Sequence, residues 1–309
     1  MSRTLIILNP HAGGGRAGRV WRELEPLLWE QLGELVIAVT QRAEEVGHHL
    51  DEARACGISR VVSIGGDGTN HALVNALARH NERHPDAAPM IYGILPIGTG
   101  RDWARGLGIP TGNLRAAAEW IARAQPGRVD LGLLQRTGAP GEYFLNIASA
   151  GLGGAVVQRV ERAAVRRPWT FLKATVQTIL RYTPKPMQVL LDGELWHDDP
   201  AYILAIANGT TFGHGMKIAP EARYNDGLFD VLVVRAVSRW HVLMALRRVY
   251  EGSHLTHPAV RYARARRVDV RGPRGDLQIE LDGEYVQGSG LTFTLRPGLL
   301  HMLGASAVR

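Results

Sequence analysis

Gly65-Gly66-Asp67-Gly68-Thr69 stands directly after the apolar run Arg60-Val61-Val62-Ser63-Ile64. That run is short and β-branched, as a buried parallel strand is. The segment after it, Asn70 to Leu77, sets Leu73 and Leu77 one helical turn apart. The glycines therefore occupy a corner between a strand end and a helix start, where backbone N–H groups and the helix dipole favour an anion. Glycine lets the backbone approach a phosphate, Asp67 offers a carboxylate to a metal or a hydroxyl, and Thr69 or Asn70 can cap the helix. Gly-Asp-Gly is also a common tight turn. The flanking strand and helix tip the reading toward phosphate.

Two further corners follow the same pattern. The stretch Ile6-Ile7-Leu8-Asn9-Pro10-His11-Ala12-Gly13-Gly14-Gly15-Arg16 runs from an apolar strand into a glycine cluster, and apolar side chains then recur at Val20, Leu24, Leu27 and Leu28. A third, Leu95-Pro96-Ile97-Gly98-Thr99-Gly100-Arg101-Asp102, follows the apolar run from Met90 to Leu95. In an open parallel sheet such corners share the carboxyl edge of the strands, where ligands bind. One corner alone is a packing turn; three on one edge point to a polyphosphate. A P-loop is excluded, because lysine occurs only at 173, 185 and 217, never in the glycine spacing that motif needs. A protein-kinase arrangement is excluded by the want of an early-strand lysine. Phosphate must then be held by backbone amides, arginine and a divalent metal.

Taken in order, Asn9-Pro10, Ala12 to Gly15, Thr40, Gly65 to Thr69 and Leu95 to Thr99 resemble the diacylglycerol kinase catalytic domain. The chain is most similar to the bacterial soluble lipid kinases of that superfamily, which also includes sphingosine and ceramide kinases. The likeness continues through Asn208-Gly209, Gly213 to Pro220, Asn225-Asp226-Gly227-Leu228-Phe229-Asp230 and Leu281-Asp282-Gly283-Glu284, so it spans nearly the whole chain. Gly-Gly-Asp-Gly-Thr alone is shared with NAD kinases and relatives of phosphofructokinase; the ordered set is more specific. The resemblance implies an α/β N-terminal domain built on a doubly wound parallel sheet and a C-terminal, mainly antiparallel β-sandwich. It implies ATP in the cleft between them and diacylglycerol or a related hydroxyl lipid as acceptor. Nucleotide contacts would come from Asn9, Gly13, Gly14, Thr40, Gly65, Gly66, Asp67, Gly68, Thr69 and Thr99. The likeness departs at Arg101-Asp102, where many relatives carry Asn before Asp; an arginine there could reach a phosphate directly.

Asp282-Gly283-Glu284 follows the apolar strand Leu277–Leu281 and, read alone, is a solvated hairpin turn. The resemblance makes Glu284 the general base for the lipid hydroxyl, with Asp67 the second candidate. It also makes Asn225 to Leu228 a Mg²⁺ loop, in which the Asp226 carboxylate is joined by the backbone carbonyls of Arg223 and Leu228. Hard oxygen donors in a tight turn suit Mg²⁺, and Asp-Gly is equally a plain turn. The histidines His11, His48, His49 and His71 fall in no trusted metal spacing and are expected on the surface or in packing.

The βαβα rhythm places strands near 4–9, 34–40, 60–65 and 90–97 and helices near 16–32, 43–56, 69–80 and 111–124. The boundary falls at Gln125-Pro126-Gly127-Arg128, giving a nucleotide-binding domain over 1–127 and a lipid-substrate domain over 128–296. The resemblance returns residues 297–309 to the first domain. Short strands dominate the second: Val129–Leu134, Tyr143–Ala148, Met187–Leu191, Tyr202–Ala207, Phe229–Val234, Val268–Val270, Leu277–Leu281 and Leu291–Leu295. Helices near 155–182 and 238–251 interrupt them.

With 309 residues, 45% of them hydrophobic, the chain can bury two cores. Its single cysteine, Cys56, forbids an internal disulfide, fits a reducing compartment and reads as a small core residue. No signal-peptide core or membrane-crossing run is present in the sequence, so a cytoplasmic protein is expected. The net charge of +7 is carried almost wholly by arginine and attracts anionic surfaces. No nucleic-acid reading motif accompanies it, so nucleic acid is not expected as a partner. From Gln158 to Lys185, arginines and lysines (Arg159, Arg162, Arg166, Arg167, Lys173, Arg181, Lys185) mix with Trp169, Phe171 and Leu172. That mixture suits peripheral contact with the inner membrane face and equally a solvated helix. Two other functions stay open at this point, a soluble-metabolite kinase of the NAD-kinase type and a catalytically silent lipid-binding protein. A homodimer is open as well.

Overall fold

The computed structural model describes residues 3–97, 102–162, 168–213, 215–272 and 277–305. The chain divides into two compact units, Met1–Asp130 with Pro297–Arg309, and Leu131–Arg296.

The first unit alternates β1 (Thr4–Leu8), α1 (Ala12–Leu32), β2 (Leu35–Val39), α2 (Glu45–Ala55), β3 (Arg60–Gly65), α3 (Asp67–Arg83), β4 (Ile91–Pro96), α4 (Asp102–Gly106) and α5 (Leu114–Arg123). Its strands are all parallel, in the order β2-β1-β3-β4. The end of β15 (Leu291–Leu303) closes the sheet, with His301 and Met302 beside Ile91 and Tyr92. The crossover direction reverses between β1→β2 and β2→β3, which puts α1 and α2 on opposite faces. One face packs Leu24, Leu28 and Leu32 of α1 onto Ile6, Leu8, Val62 and Ile64. Leu5 and Ile7, on the other pleat of β1, are buried as well. Each fully buried leucine or isoleucine contributes about 2 kcal/mol.

The second unit is built from β5 (Pro126–Arg136), β6 (Ala139–Phe144), β7 (Ile147–Gly151), α6 (Leu152–Glu161), α7 (Pro168–Arg181), β8 (Lys185–Leu191), β9 (Glu194–Ala207), β10 (Phe229–Arg235), α8 (Arg239–Glu251), β11 (Val260–Ala265), β12 (Arg267–Arg271), β13 (Leu277–Leu281), β14 (Glu284–Gly288) and the first part of β15. Pairing within it is antiparallel: β14-β13-β7-β9-β8-β12-β15, with β10 and β11 branching from β9 and β6 paired to β5. Its core holds three phenylalanines; the Phe144 and Phe229 rings stack at 5.8 Å, and Phe293 meets Phe144 edge-on at 6.2 Å.

Several local expectations are corrected. The strand expected over Tyr143–Ala148 is two strands, because the Leu145 and Asn146 amides turn to the Asp282 carboxylate. The helix expected over 155–182 is two, the second opening at Pro168, which has no N–H to continue a ladder. The edge strands β11 and β14 carry too few apolar residues to be seen by pattern. Cys56 is exposed at the end of α2, outside the core.

Neither Thr69 nor Asn70 caps α3. Gly66 holds the N-cap position without a side-chain bond, and the helix begins at Asp67. Asn70 turns inward instead. Its Oδ1 accepts the Ser63 hydroxyl at 2.6 Å and the Tyr92 hydroxyl at 3.1 Å, all three side chains being buried. That triad fastens the start of α3 to β3 and β4. Replacing Asn70→Ala strips a shared acceptor from two buried hydroxyls and should cost about 2 kcal/mol; urea unfolding of the purified variant measures it.

Candidate functional site

In the first unit the strand order reverses between β1 and β3, so the crevice outside their carboxyl ends is the expected ligand position. Asn9 sits there as a clip. Its backbone N–H donates to Ile64 O at 3.0 Å, its Nδ2 donates to Thr69 Oγ1 at 3.2 Å, and its Oδ1 accepts the His11 N–H at 3.0 Å. The first and second glycine corners are thereby joined. Thr40, buried just past β2, donates its N–H to Leu8 O at 2.9 Å and so lies beside the same strand end.

The glycines divide by what the fold requires of them. Gly13, Gly14 and Gly15 are consecutive left-handed residues with φ of 61°, 67° and 80°, and regular helix starts only after them. A side chain there costs about 1–2 kcal/mol per residue. A Cβ on Gly65 would come within 2.6 Å of the Thr69 side chain, so packing alone accounts for that glycine. Gly66 is different. Its φ of −101° suits any residue, and the nearest atom to an added Cβ is Ala12 Cβ at 4.0 Å. Among the described residues nothing requires glycine at 66, whereas an anion seated on its N–H would. Gly68 is exposed, and Asp67 and Thr69 are half-buried in the first turn of α3. A carboxylate at that position is favoured by the helix dipole. Thr99, with Gly98, Gly100 and Arg101, lies outside the described residues, as do Arg166 and Arg167.

In the second unit the Asp282-Gly283 turn is a hairpin, as its sequence suggests, but it is not solvated. Asp282 and Gly283 have φ of 52° and 94°, the signature of a tight two-residue turn between Leu281 and Glu284. Asp282 is buried, and its carboxylate accepts the N–H groups of Leu145 at 2.7 Å, Asn146 at 2.8 Å and Ile147 at 3.1 Å. The buried Glu280 accepts the Gly283 N–H at 2.7 Å and the Ser149 hydroxyl at 2.9 Å. Asp282 is thus committed to the Leu145–Ile147 backbone, and Glu280 to the turn and to Ser149. Glu284 opens β14 half-buried.

Asn146 extends this framework. Its Nδ2 donates to Thr211 O at 2.6 Å, its Oδ1 accepts the Tyr224 hydroxyl at 3.1 Å, and its carbonyl accepts the N–H groups of Asn208 and Gly209. A Cβ on Gly209 would fall 2.0 Å from Asn146 Oδ1, so only glycine fits. Asn146 and Tyr224 were not singled out from sequence. The signal was there, a buried Asn within the apolar run Phe144 to Ala150.

At Asn225 to Leu228, Asp226 Oδ1 accepts the Leu228 N–H at 3.1 Å and Oδ2 pairs with Arg264. Arg223 is exposed. Nearby, Asp230 is buried and bonded to the Tyr262 hydroxyl; its Oδ2 accepts no hydrogen bond among the described residues and lies 3.7 Å from Arg264 Nε, an ion pair. Burial raises the Asp230 pKa, opposed by Tyr262 and Arg264. Among the described residues, no group of three or more His, Cys, Asp and Glu is arranged around a metal position.

The structure adds an element absent from the sequence reading, an apolar cavity of about 110 Å³ inside the second unit. Its floor is the outer face of β9 and β10 (Ile203, Ala205, Leu232, Val234), and α6, α7 and α8 cover it. Alternate residues of the same strands, Leu204, Ile206, Val231 and Val233, face the phenylalanine core. These strands are apolar on both pleats because both faces are covered. His254 in the wall donates from Nε2 to Ile218 O at 2.9 Å, and burial lowers its pKa, which keeps it neutral near pH 7.

Residues 3–134 match the diacylglycerol kinase catalytic domain, and residues 146–304 match the YegS C-terminal NAD kinase beta sandwich-like domain. The chain is 27% identical over 306 residues to a diacylglycerol kinase of Mycobacterium tuberculosis, covering 98% of this chain and 95% of that one. It is 31% identical over 292 residues to a protein of Chromohalobacter salexigens named "Probable lipid kinase YegS-like", covering 87% and 88%. In fold it is similar to the crystal structure of a diacylglycerol kinase from Bacillus anthracis, with a TM-score of 0.72 at 21% identity over 100% of this chain and 98% of the other.

The Asp282 bonds generate a stability test. Asp282→Ala leaves three buried amides without their acceptor and should cost about 3 kcal/mol or more. Asp282→Asn retains one acceptor oxygen and should recover part of the loss, read as urea midpoints of the two variants.

Proposed function

The chain belongs to the diacylglycerol kinase catalytic-domain family, and we propose that it transfers the γ-phosphoryl group of ATP to a hydroxyl of diacylglycerol or a related lipid. The cavity carries this reading. The pocket, of about 110 Å³, presents an almost wholly apolar surface that is unfavourable to leave in water. A surface of this kind accepts apolar guests. An acyl chain would cover that surface; a dinucleotide, with its charges, suits poorly a lining that is apolar except at Thr175, Tyr202, His241, His254 and His257. The acceptor then comes from a membrane surface, with the protein peripheral to it; no helix among the described residues is long and apolar enough to cross a bilayer.

Phosphoryl transfer asks for positioning, charge neutralisation and a destination for the hydroxyl proton. In this reading the first unit holds the nucleotide phosphates on the amides of the Gly13-Gly14 and Gly66-Gly68 corners. Asn9, Thr69 and Thr40 fix the shape of that edge, and Thr99 belongs to the same set. Glu284 takes the proton of the lipid hydroxyl. Asp282 and Glu280 do not compete for that task, since their oxygens hold the turn that carries Glu284. Asp67, at the helix start, serves the nucleotide or its metal and is the second candidate for the base.

The Asp226 loop offers donors that fit a hard cation. The Asp226 and Asp230 carboxylates both face Arg264, whose charge a cation could replace, and the buried Asp230 Oδ2 accepts no hydrogen bond among the described residues. Mg²⁺ would be held there by Asp226 and the backbone carbonyls of Arg223 and Leu228 in exchange for the Arg264 contact, and would supply local charge neutralisation to the turn.

Radiolabelled ATP presented with a panel of extracted lipids, and with NAD as control, tests the assignment; label in a lipid is the expected result and label in NAD overturns it. Glu284→Gln should lower turnover by about 10²–10⁴-fold with nucleotide binding retained. Gly66→Val should keep the unfolding midpoint and lose ATP affinity, measured by calorimetry, because the added side chain meets space in the protein and would meet phosphate in the complex.

A further inference from the structure

The helix α8 has two faces of unlike purpose. Val242, Ala245, Leu246 and Val249 line the cavity. On the opposite side Trp240 and Met244, one turn apart, are 67% and 82% exposed. The neighbouring α7 repeats the arrangement, with Phe171, Thr175 and Ile179 toward the cavity and Leu172 outward, 48% exposed. A solvated helix presents charge outward, not a tryptophan and a methionine in register.

Guanidinium groups surround this stripe. Arg239 and Arg248 are exposed at either end of α8, and exposed Arg181 closes α7 beside Arg239, which donates to Leu180 O at 2.6 Å. Arg247 pairs with Glu251 at 2.7 Å, so the one acid of this helix is already neutralised. An apolar stripe rimmed by unopposed arginines complements a surface that is negative outside and apolar beneath. Tryptophan favours that boundary, where its ring is apolar and its N–H wet.

We propose that α8 docks the protein on an anionic lipid bilayer, Trp240 and Met244 entering the headgroup–acyl boundary, so that a lipid chain passes between α7 and α8 into the cavity they cover. The passage of a substrate chain rests on the lipid-kinase reading; the docking itself does not. A protein partner would account for the exposed stripe but not for its continuity, through one helix, with an apolar cavity.

Cosedimentation with vesicles tests this, using phosphatidylcholine alone and phosphatidylcholine containing phosphatidylglycerol. The parent should bind the anionic vesicles more tightly, since each arginine near such a surface is worth about fivefold. The double variant Trp240→Ser, Met244→Ser changes only exposed side chains, and an unaltered unfolding midpoint confirms its fold. Its partitioning onto anionic vesicles should fall about tenfold or more. Turnover of a water-soluble short-chain diacylglycerol should stay at the parental value while turnover of long-chain lipid in vesicles falls. Equal partitioning of variant and parent, or equal binding of the parent to neutral and anionic vesicles, overturns the proposal. A parent that docks through α8 yet phosphorylates no lipid overturns the kinase reading and leaves the docking standing.

Discussion

The Asp282 carboxylate, buried and accepting three consecutive backbone N–H groups, is the contact on which the second unit's site depends. Three amides converge on it because the chain turns at Leu145-Asn146, and the chain can turn there because that carboxylate is present to receive them. Its backbone sits at φ 52°, a conformation asparagine and aspartate tolerate better than other non-glycine residues. The side chain thus fixes β7 at one end while the backbone reverses β13 into β14 at the other. Glu284 is carried on that second strand, and Asn146 passes the constraint to Gly209 and Tyr224. Ordinary hairpin chemistry frames the strand that carries Glu284 because one carboxylate was taken out of water and given enough donors to stay there.

The second constraint is that β9 and β10 bury both faces. A sandwich alone would leave one pleat of each strand polar and wet. Here Leu204, Ile206, Val231 and Val233 serve the phenylalanine core, and Ile203, Ala205, Leu232 and Val234 need a second cover. Three helices supply it without filling the space beneath. The apolar surface left beneath them is unfavourable to hydrate unless an apolar group covers it. Neutral His254 preserves the apolar character of the wall, since a charged imidazole there would draw water in.

The alternation of strand and helix, the parallel sheet and the β-rich second half were legible in sequence because each rests on a local signal: β-branched runs, glycine corners and 3.6-residue spacing. The edge strands β11 and β14 were not, since exposed strands have less need of apolar residues. The inward turn of Asn70 was hidden because a polar residue after Gly-Thr looks like a cap, and only the hydroxyls of Ser63 and Tyr92, distant in sequence, decide otherwise. The Asp282-Gly283 turn was visible and its burial was not; the amides that pay for that burial lie some 135 residues away. The cavity escaped for a related reason. Continuous apolar runs at Tyr202–Ala207 and Val231–Val234 announce that both faces are covered, but not that the cover stops short of filling the space.

Glycine shows how far a motif can be divided by physics. Within Gly65-Gly66-Asp67-Gly68-Thr69, the first glycine is demanded by the Thr69 side chain and would be kept by a protein that bound nothing. The second has open space and an unstrained backbone, so the fold would accept a side chain there. Gly13 to Gly15 are demanded by conformation, in a left-handed run that reshapes the start of α1. Asn9 then ties that run to the second corner through Thr69. What the fold requires and what a ligand would require are separable residue by residue, and at Gly66 no described neighbour makes the first requirement.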